Sequence, residues 1–179
     1  TVTPVTPTAA PSTSTGVQGE IQKGTPTFTA GNAEVPIKEN SVKLLNPDGT
    51  EANGPVDALD EKGNKVGEYT VNPATGEVTF TPTDKTYTGK VTPVTVVAES
   101  SNGIKVDTTY TPEIVPVTPT ATPAETTDVQ GATQTSTVAF NAYGQKNYDF
   151  DKDNAIDTTV KSQIVKPDGT LAVSYTHLT

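Results

Sequence analysis

Four acidic residues could gather round a metal: Asp149, Asp151 and Asp153 follow D-x-D-x-D, and Asp157 comes after them. Carboxylate oxygens gathered in this way suit a hard cation such as Ca²⁺. The pattern departs from an EF-hand loop, which wants Gly at its sixth position and Glu at its twelfth, where this chain has Asn154 and Val160. The competing reading is a solvated acidic loop. Ca²⁺ is the one cofactor the sequence suggests.

A second pair could form a bond rather than hold an ion. Lys23 and Asn102 are candidates for a Lys–Asn isopeptide cross-link, which would strengthen a chain that has no Cys. That chemistry needs a buried carboxylate or an equivalent proton-transfer group beside the reacting pair, and the sequence singles none out. Both residues otherwise read as exposed turn positions. Little else could catalyse. His177 is the sole His, so nucleophile–imidazole pairs have almost nothing to draw on. The carboxylates are scattered through turns with no Trp platform beside them, which argues against glycoside hydrolysis. The chain reads as no enzyme.

Charge narrows the partners. The net charge is −9, all twelve basic residues are Lys, and no Arg is present to grip phosphate bidentately, so no nucleic-acid partner is expected. An acidic surface keeps a crowded, tethered protein soluble and self-repelling. Met is absent even at position 1, so an internal piece of a longer protein is expected, with signal peptide and anchor outside it and no membrane insertion within it.

The elements that must position these residues are strands. Thirty-five of the 179 residues are Thr, and fifteen Pro and fourteen Gly punctuate the chain too often for long helices. Tyr69 and Val71 alternate with polar neighbours, Asn72–Gly76 turns the chain, and Val78 and Phe80 alternate back. Val94, Val96 and Ala98 form a similar run, Ser101–Gly103 a tight turn, and Ile104 to Tyr110 a return strand. Shorter runs around Phe28, Val35, Ile37, Val42, Leu44, Val56 and Val66 bring the total to some seven strands. Their spacing favours an immunoglobulin-like two-sheet β-sandwich. Its core is expected to hold Phe28, Tyr69, Val71, Val78, Phe80, Val94, Val96 and Tyr110.

Internal repetition sets the domain plan. Pro4–Ala9 recurs as Pro116–Ala121, and Val17-Gln18-Gly19 as Val129-Gln130-Gly131, at an offset of 112; Gln22 and Phe28 meet Gln134 and Phe140 in the same register. Lys43–Thr50 is echoed by Gln163–Thr170 at an offset of 120, so the second copy carries an insertion. A period this long suits whole domains in tandem. Residues 1–15 and 116–127 are Pro/Thr tracts without an apolar face and are expected to be extended, semi-rigid linkers. Residues 16–115 then form a complete sandwich and 128–172 a truncated, divergent second copy, too short to close two sheets unless it borrows an edge. Residues 173–179 break the repeat after Leu171 and match one reading frame of a sequencing adapter, so they read as a sequence artefact.

The run Gly67–Pro82, followed by Tyr87-Thr88-Gly89, Pro93–Ala98, Asn102-Gly103 and Tyr110-Thr111-Pro112, resembles the CshA-type fibril repeat of streptococcal surface adhesins, and Gly19, Gln22, Pro26, Phe28 and Gly31 agree with it. The resemblance covers the first copy and the opening of the second. It implies an extracellular, cell-wall-anchored Gram-positive surface fibril whose tandem repeats form a stalk, with neighbouring repeats as partners and host adhesion assigned mainly to a separate non-repetitive region. Two other readings stay open. The repeats could themselves bind a host matrix protein, cell-surface molecule or glycan, or they could be an ancillary module of a wall-processing enzyme.

Overall fold

The computed structural model describes residues 1–118, 120–141 and 160–178, and these form fifteen strands and no helix. They fall into two compact units, Thr1–Pro116 and Val117–Thr179. The first holds β1 (Thr8–Ala10), β2 (Ser12–Val17), β3 (Gln22–Gly24), β4 (Thr27–Thr29), β5 (Lys43–Leu44), β6 (Val56–Leu59), β7 (Lys65–Val71), β8 (Val78–Pro82), β9 (Gly89–Lys90), β10 (Val94–Glu99) and β11 (Lys105–Val115). One sheet runs β2-β11-β10-β5, with β9 also on β11, and the other runs β3-β8-β7-β6; β1 pairs with β4.

Both expected hairpins form. Alternation places Val71 opposite Val78 and Tyr69 opposite Phe80 on β7–β8, and the Asn72 side chain caps the turn by accepting from the Ala74 amide at 3.0 Å. On β10–β11, Val94 faces Tyr110 and Ala98 faces Val106. Each sheet sends one face inward. Leu44, Val94, Val96, Ala98, Tyr110 and Ile114 from the first sheet share a single buried cluster with Val56, Ala58, Val66, Tyr69, Val78 and Phe80 from the second, so the unit is a β-sandwich. Fully burying each of the larger side chains contributes about 1.5–3 kcal/mol. Six of the eight expected core residues are buried, while Phe28 and Val71 pack against the cluster from its margin.

Tyr69 lies at the centre. Its ring is 5.8 Å from Phe80 in its own sheet and 6.1 Å from Tyr110 in the facing one, the latter edge-on at 83°. The Tyr69 hydroxyl donates to the Thr92 carbonyl at 2.7 Å, so its one polar atom is paired. Pro112 occupies a gap in the ladder. On that side β11 pairs with β10 up to Tyr110 and with β9 from Glu113, so the missing Pro112 amide is not needed.

One expectation is corrected. Residues 8–15 are not linker, because β1 pairs Thr8, Ala9 and Ala10 with Thr29, Phe28 and Thr27, and β2 pairs Ser12–Val17 with Tyr110–Val115 in parallel, while residues 1–7 form no strand. The tract lacks an apolar stripe because β2 joins the sheet at its margin. Its Ser and Thr side chains alternate between half-buried and exposed positions, and β-branched Thr tolerates that surface well. Pro11 stands between the two strands, where no ladder bond is interrupted.

The second unit repeats part of this plan. It contains β12 (Thr120–Thr122), β13 (Ala139–Asn141), β14 (Val160–Val165) and β15 (Leu171–Leu178), paired as β12–β13 and β14–β15. All three residue pairs of β12–β13 stand 112 residues on from a pair of β1–β4. The turn at Pro167-Asp168-Gly169 copies that at Pro47-Asp48-Gly49, with the same 2.6 Å bond from the Thr hydroxyl to the Asp carboxylate and φ +84° at both glycines. Residues 116–127 are thus only partly linker, since β12 lies within them. The tract expected to be an artefact supplies most of β15. Apart from Val117, every second-unit residue whose side-chain burial is described is exposed, Val129 and Ile164 among them, so no closed core is seen among the described residues.

Candidate functional site: where β2 and β3 meet β11

Ser14 on β2, Gln22 on β3 and Tyr110 on β11 meet in one polar chain. The Ser14 hydroxyl donates to Gln22 Oε1 at 2.6 Å, and Ser14 Oγ and the Tyr110 hydroxyl lie 2.7 Å apart. Ser has one proton to give, so Tyr110 is the donor in the second bond. Gln22 Nε2 donates to the Glu113 carbonyl at 3.0 Å. The chain therefore leaves β11, crosses β2 and β3, and returns to β11. Gln22 and Tyr110 are buried, so each bond replaces water that cannot reach them. Burial pushes the Tyr110 phenol up; Tyr69 is raised chiefly by burial, with Tyr110 a lesser cause.

Gly24 makes room for this arrangement. A Cβ there would lie 2.3 Å from Tyr110 Cε2 and 2.8 Å from Ser12 Oγ. A Gly24→Ala chain is therefore expected to be less stable by about 1–3 kcal/mol, since the tyrosine ring must shift within a packed core. Urea unfolding followed by tyrosine fluorescence checks it. The second copy has Ser136 at the corresponding position, 112 residues on.

Ser14 and Gln22 are the residues sequence reasoning passed over as a pair, although a signal for them existed. Gln22 recurs as Gln134, and a hydroxyl recurs at Thr126, which donates to Gln134 Oε1 at 2.5 Å. A repeated Gln with a hydroxyl eight residues before it marks a side-chain contact rather than a loop.

The residues singled out for chemistry lie elsewhere. Asp149, Asp151, Asp153 and Asp157 are outside the described residues. Lys23 is on β3 and pairs with Glu77 at 3.2 Å, whereas Asn102 sits in the β10–β11 turn of the other sheet and donates to the Val5 carbonyl at 2.9 Å. The structure does not bring the two together. No group of three or more His, Cys, Asp or Glu that could hold a metal occurs among the described residues.

An ion cluster lies on the outer face of the first sheet. Glu51 takes Lys105 at 2.6 Å and Lys43 at 2.9 Å, and these bonds, Lys105 first, hold its carboxyl down to about 2. A carboxylate depressed in the folded state stabilises above its unfolded pKa and loses that effect as pH falls through the folded value. Stability should accordingly decline from roughly pH 4.5 toward pH 2, and Glu51→Gln should flatten part of that decline. Thermal unfolding across this range measures it, and added salt should shrink the difference because the cluster is exposed.

A family model described as the surface adhesin CshA repetitive domain matches residues 4–114. Its span begins inside the tract expected to be linker and ends on β11, close to the limits of the first unit. No curated protein matches the chain. Among solved structures, CopC from Methylosinus trichosporium OB3b aligns at 15% identity and a TM-score of 0.32, covering 63% of this chain and 94% of that one.

Proposed function

We propose that this chain, which belongs to the family of surface adhesin CshA repetitive domains, is a stalk segment of a cell-wall-anchored fibril whose repeats hold an adhesive region away from the cell. A repeat of this family works at the cell surface, outside the cell. No helix among the described residues is long and apolar enough to cross a membrane. The observation that carries the stalk reading is the second copy: the β1–β4 pairing, the Ser14–Gln22 contact and the Pro-Asp-Gly turn all recur in it. Tandem units built on one plan extend a chain, and the neighbouring repeat is each unit's partner.

The surface of the first unit favours a non-catalytic spacer. Three of its four sheet edges offer little ladder for a visiting strand, because β5 is two residues long, β3 is three, and β6 is broken by a bulge between Ala58 and Leu59, which leaves the six residues of β2 as the longest edge. Lys65 on β7 adds charge beside β6, bonding Asp57 at 2.8 Å and Glu68 at 2.7 Å. The test is retention of the 179-residue chain on immobilised host matrix proteins and on host cells. A stalk segment passes through unretained, and saturable retention would transfer the adhesive role to the repeat itself.

A further inference from the structure

We propose that the parallel pairing of β2 with β11 is a shear clamp that sets the force the repeat withstands when it is pulled along the fibril. The inference rests on the stalk reading, since only a tethered spacer is loaded through its two ends. The topology supplies the geometry. β2 follows the tract by which the chain enters the unit, and β11 is the strand by which it leaves. Ser12 at the start of β2 pairs with Tyr110, and Val17 at its end pairs with Val115, the last residue of β11.

The entry and exit lie at opposite ends of this pair. The incoming segment is fixed beside the β10–β11 turn, where Asn102 Nδ2 donates to the Val5 carbonyl at 2.9 Å. The outgoing chain departs at Val115, whose carbonyl accepts from the Gln18 amide at 2.8 Å. Tension therefore draws the start of β2 one way and the end of β11 the other, along the strand axis. In a parallel ladder the bonds are evenly spaced, so sliding must strain all six residue pairs together. Antiparallel terminal strands with entry and exit at one end would instead open bond by bond.

Side chains lock the same slip plane. Tyr110 and Ile114 hold β11 in the core, and the Ser14–Tyr110 and Gln22–Glu113 bonds tie β11 to β2 and β3. β1 and β4 share only three residue pairs, half as many as β2 and β11. In the second copy no strand pairs with this tract among the described residues. Residues 124–129, the counterparts of β2, form no strand, although Thr126 still meets Gln134. A Pro/Thr tract of this kind becomes a strand when a β11 receives it.

Single-molecule pulling on the full 179-residue chain tests the clamp. The chain has no Cys, so paired substitutions define the handles uniquely. Thr1→Cys with Pro116→Cys loads β2–β11 in shear, and Thr1→Cys with Ser101→Cys loads it from one end and peels it. The expected result is a rupture force several-fold higher in the first geometry, because forced unfolding reports the barrier along the direction loaded. Adding Ser14→Ala should lower the force in shear by more than it lowers the force in peeling. Equal forces in the two geometries would overturn the clamp and leave the stalk reading standing. No load-bearing transition in either geometry would overturn the stalk reading itself.

Discussion

Deleting residues 1–17 is expected to unfold the first unit, although sequence composition assigns most of this segment to a linker whose loss would be neutral. The deletion removes β1 and β2 and with them six residue pairs on β11. It leaves the buried Tyr110 hydroxyl without Ser14, and Gln22 Oε1 without its donor. Each buried polar group left unpaired costs about 1–3 kcal/mol, and β11 loses its ladder partner from Tyr110 to Val115. Against a total stability of about 5–15 kcal/mol for a domain, the sum is decisive. Circular dichroism and urea unfolding of the shortened chain should show loss of the cooperative transition. An unchanged midpoint would mean that β2 contributes nothing. Ser14→Ala is the gentler version, with an expected loss of about 1–3 kcal/mol.

Tyr69→Ala is expected to cost about 3–5 kcal/mol, the usual range for truncating a buried aromatic residue. The ring joins the sheets through Phe80 and Tyr110, and its hydroxyl satisfies the Thr92 carbonyl where the chain passes from β9 to β10. Tyr69→Phe separates the two roles: it keeps the ring and loses one hydrogen bond, with an expected cost of about 1 kcal/mol. Denaturant midpoints at constant m-value measure both. The phenols also set an alkaline limit. Tyr69 and Tyr110 are both raised by burial, so the folded state holds its protons more tightly than the unfolded chain does. That stability is complete below the unfolded tyrosine pKa of roughly 10 and declines as pH rises above it.

The hairpins β7–β8 and β10–β11 were legible because both signals that define them are local. Alternation of Tyr69, Val71, Val78 and Phe80 gives the strands, and Asn72 with Gly76 gives the turn. The repeat was legible for a related reason: Gln22 and the Pro-Asp-Gly turn keep their spacing in the second copy. β1 and β2 were hidden because nothing local distinguishes a Ser/Thr edge strand from a Pro/Thr spacer. What decides it is Tyr110 and its strand, about 96 residues away in sequence. Residues 12–17 and 124–129 make the point within one chain, since similar tracts adopt a strand in one unit and none in the other.

The closing network was half legible. Gln22 was visible as a repeated residue, but a lone buried Gln has no periodicity, and Ser14 sat inside a tract already read as solvated. The Lys23–Asn102 pair was drawn from residue type alone. Each meets another partner in the fold, Glu77 for Lys23 and the Val5 carbonyl for Asn102, and such tertiary partners are not written in local pattern.

Native-state hydrogen exchange on the intact chain tests most directly whether the entering tract is part of the repeat. The account predicts that β2 amides bonded to β11 exchange slowly, in step with the bonded amides of β10, while those of residues 124–129 exchange at nearly the rate of an unstructured peptide. Equal, fast exchange over residues 12–17 and 124–129 would contradict it, and would return the tract to the linker its composition suggests.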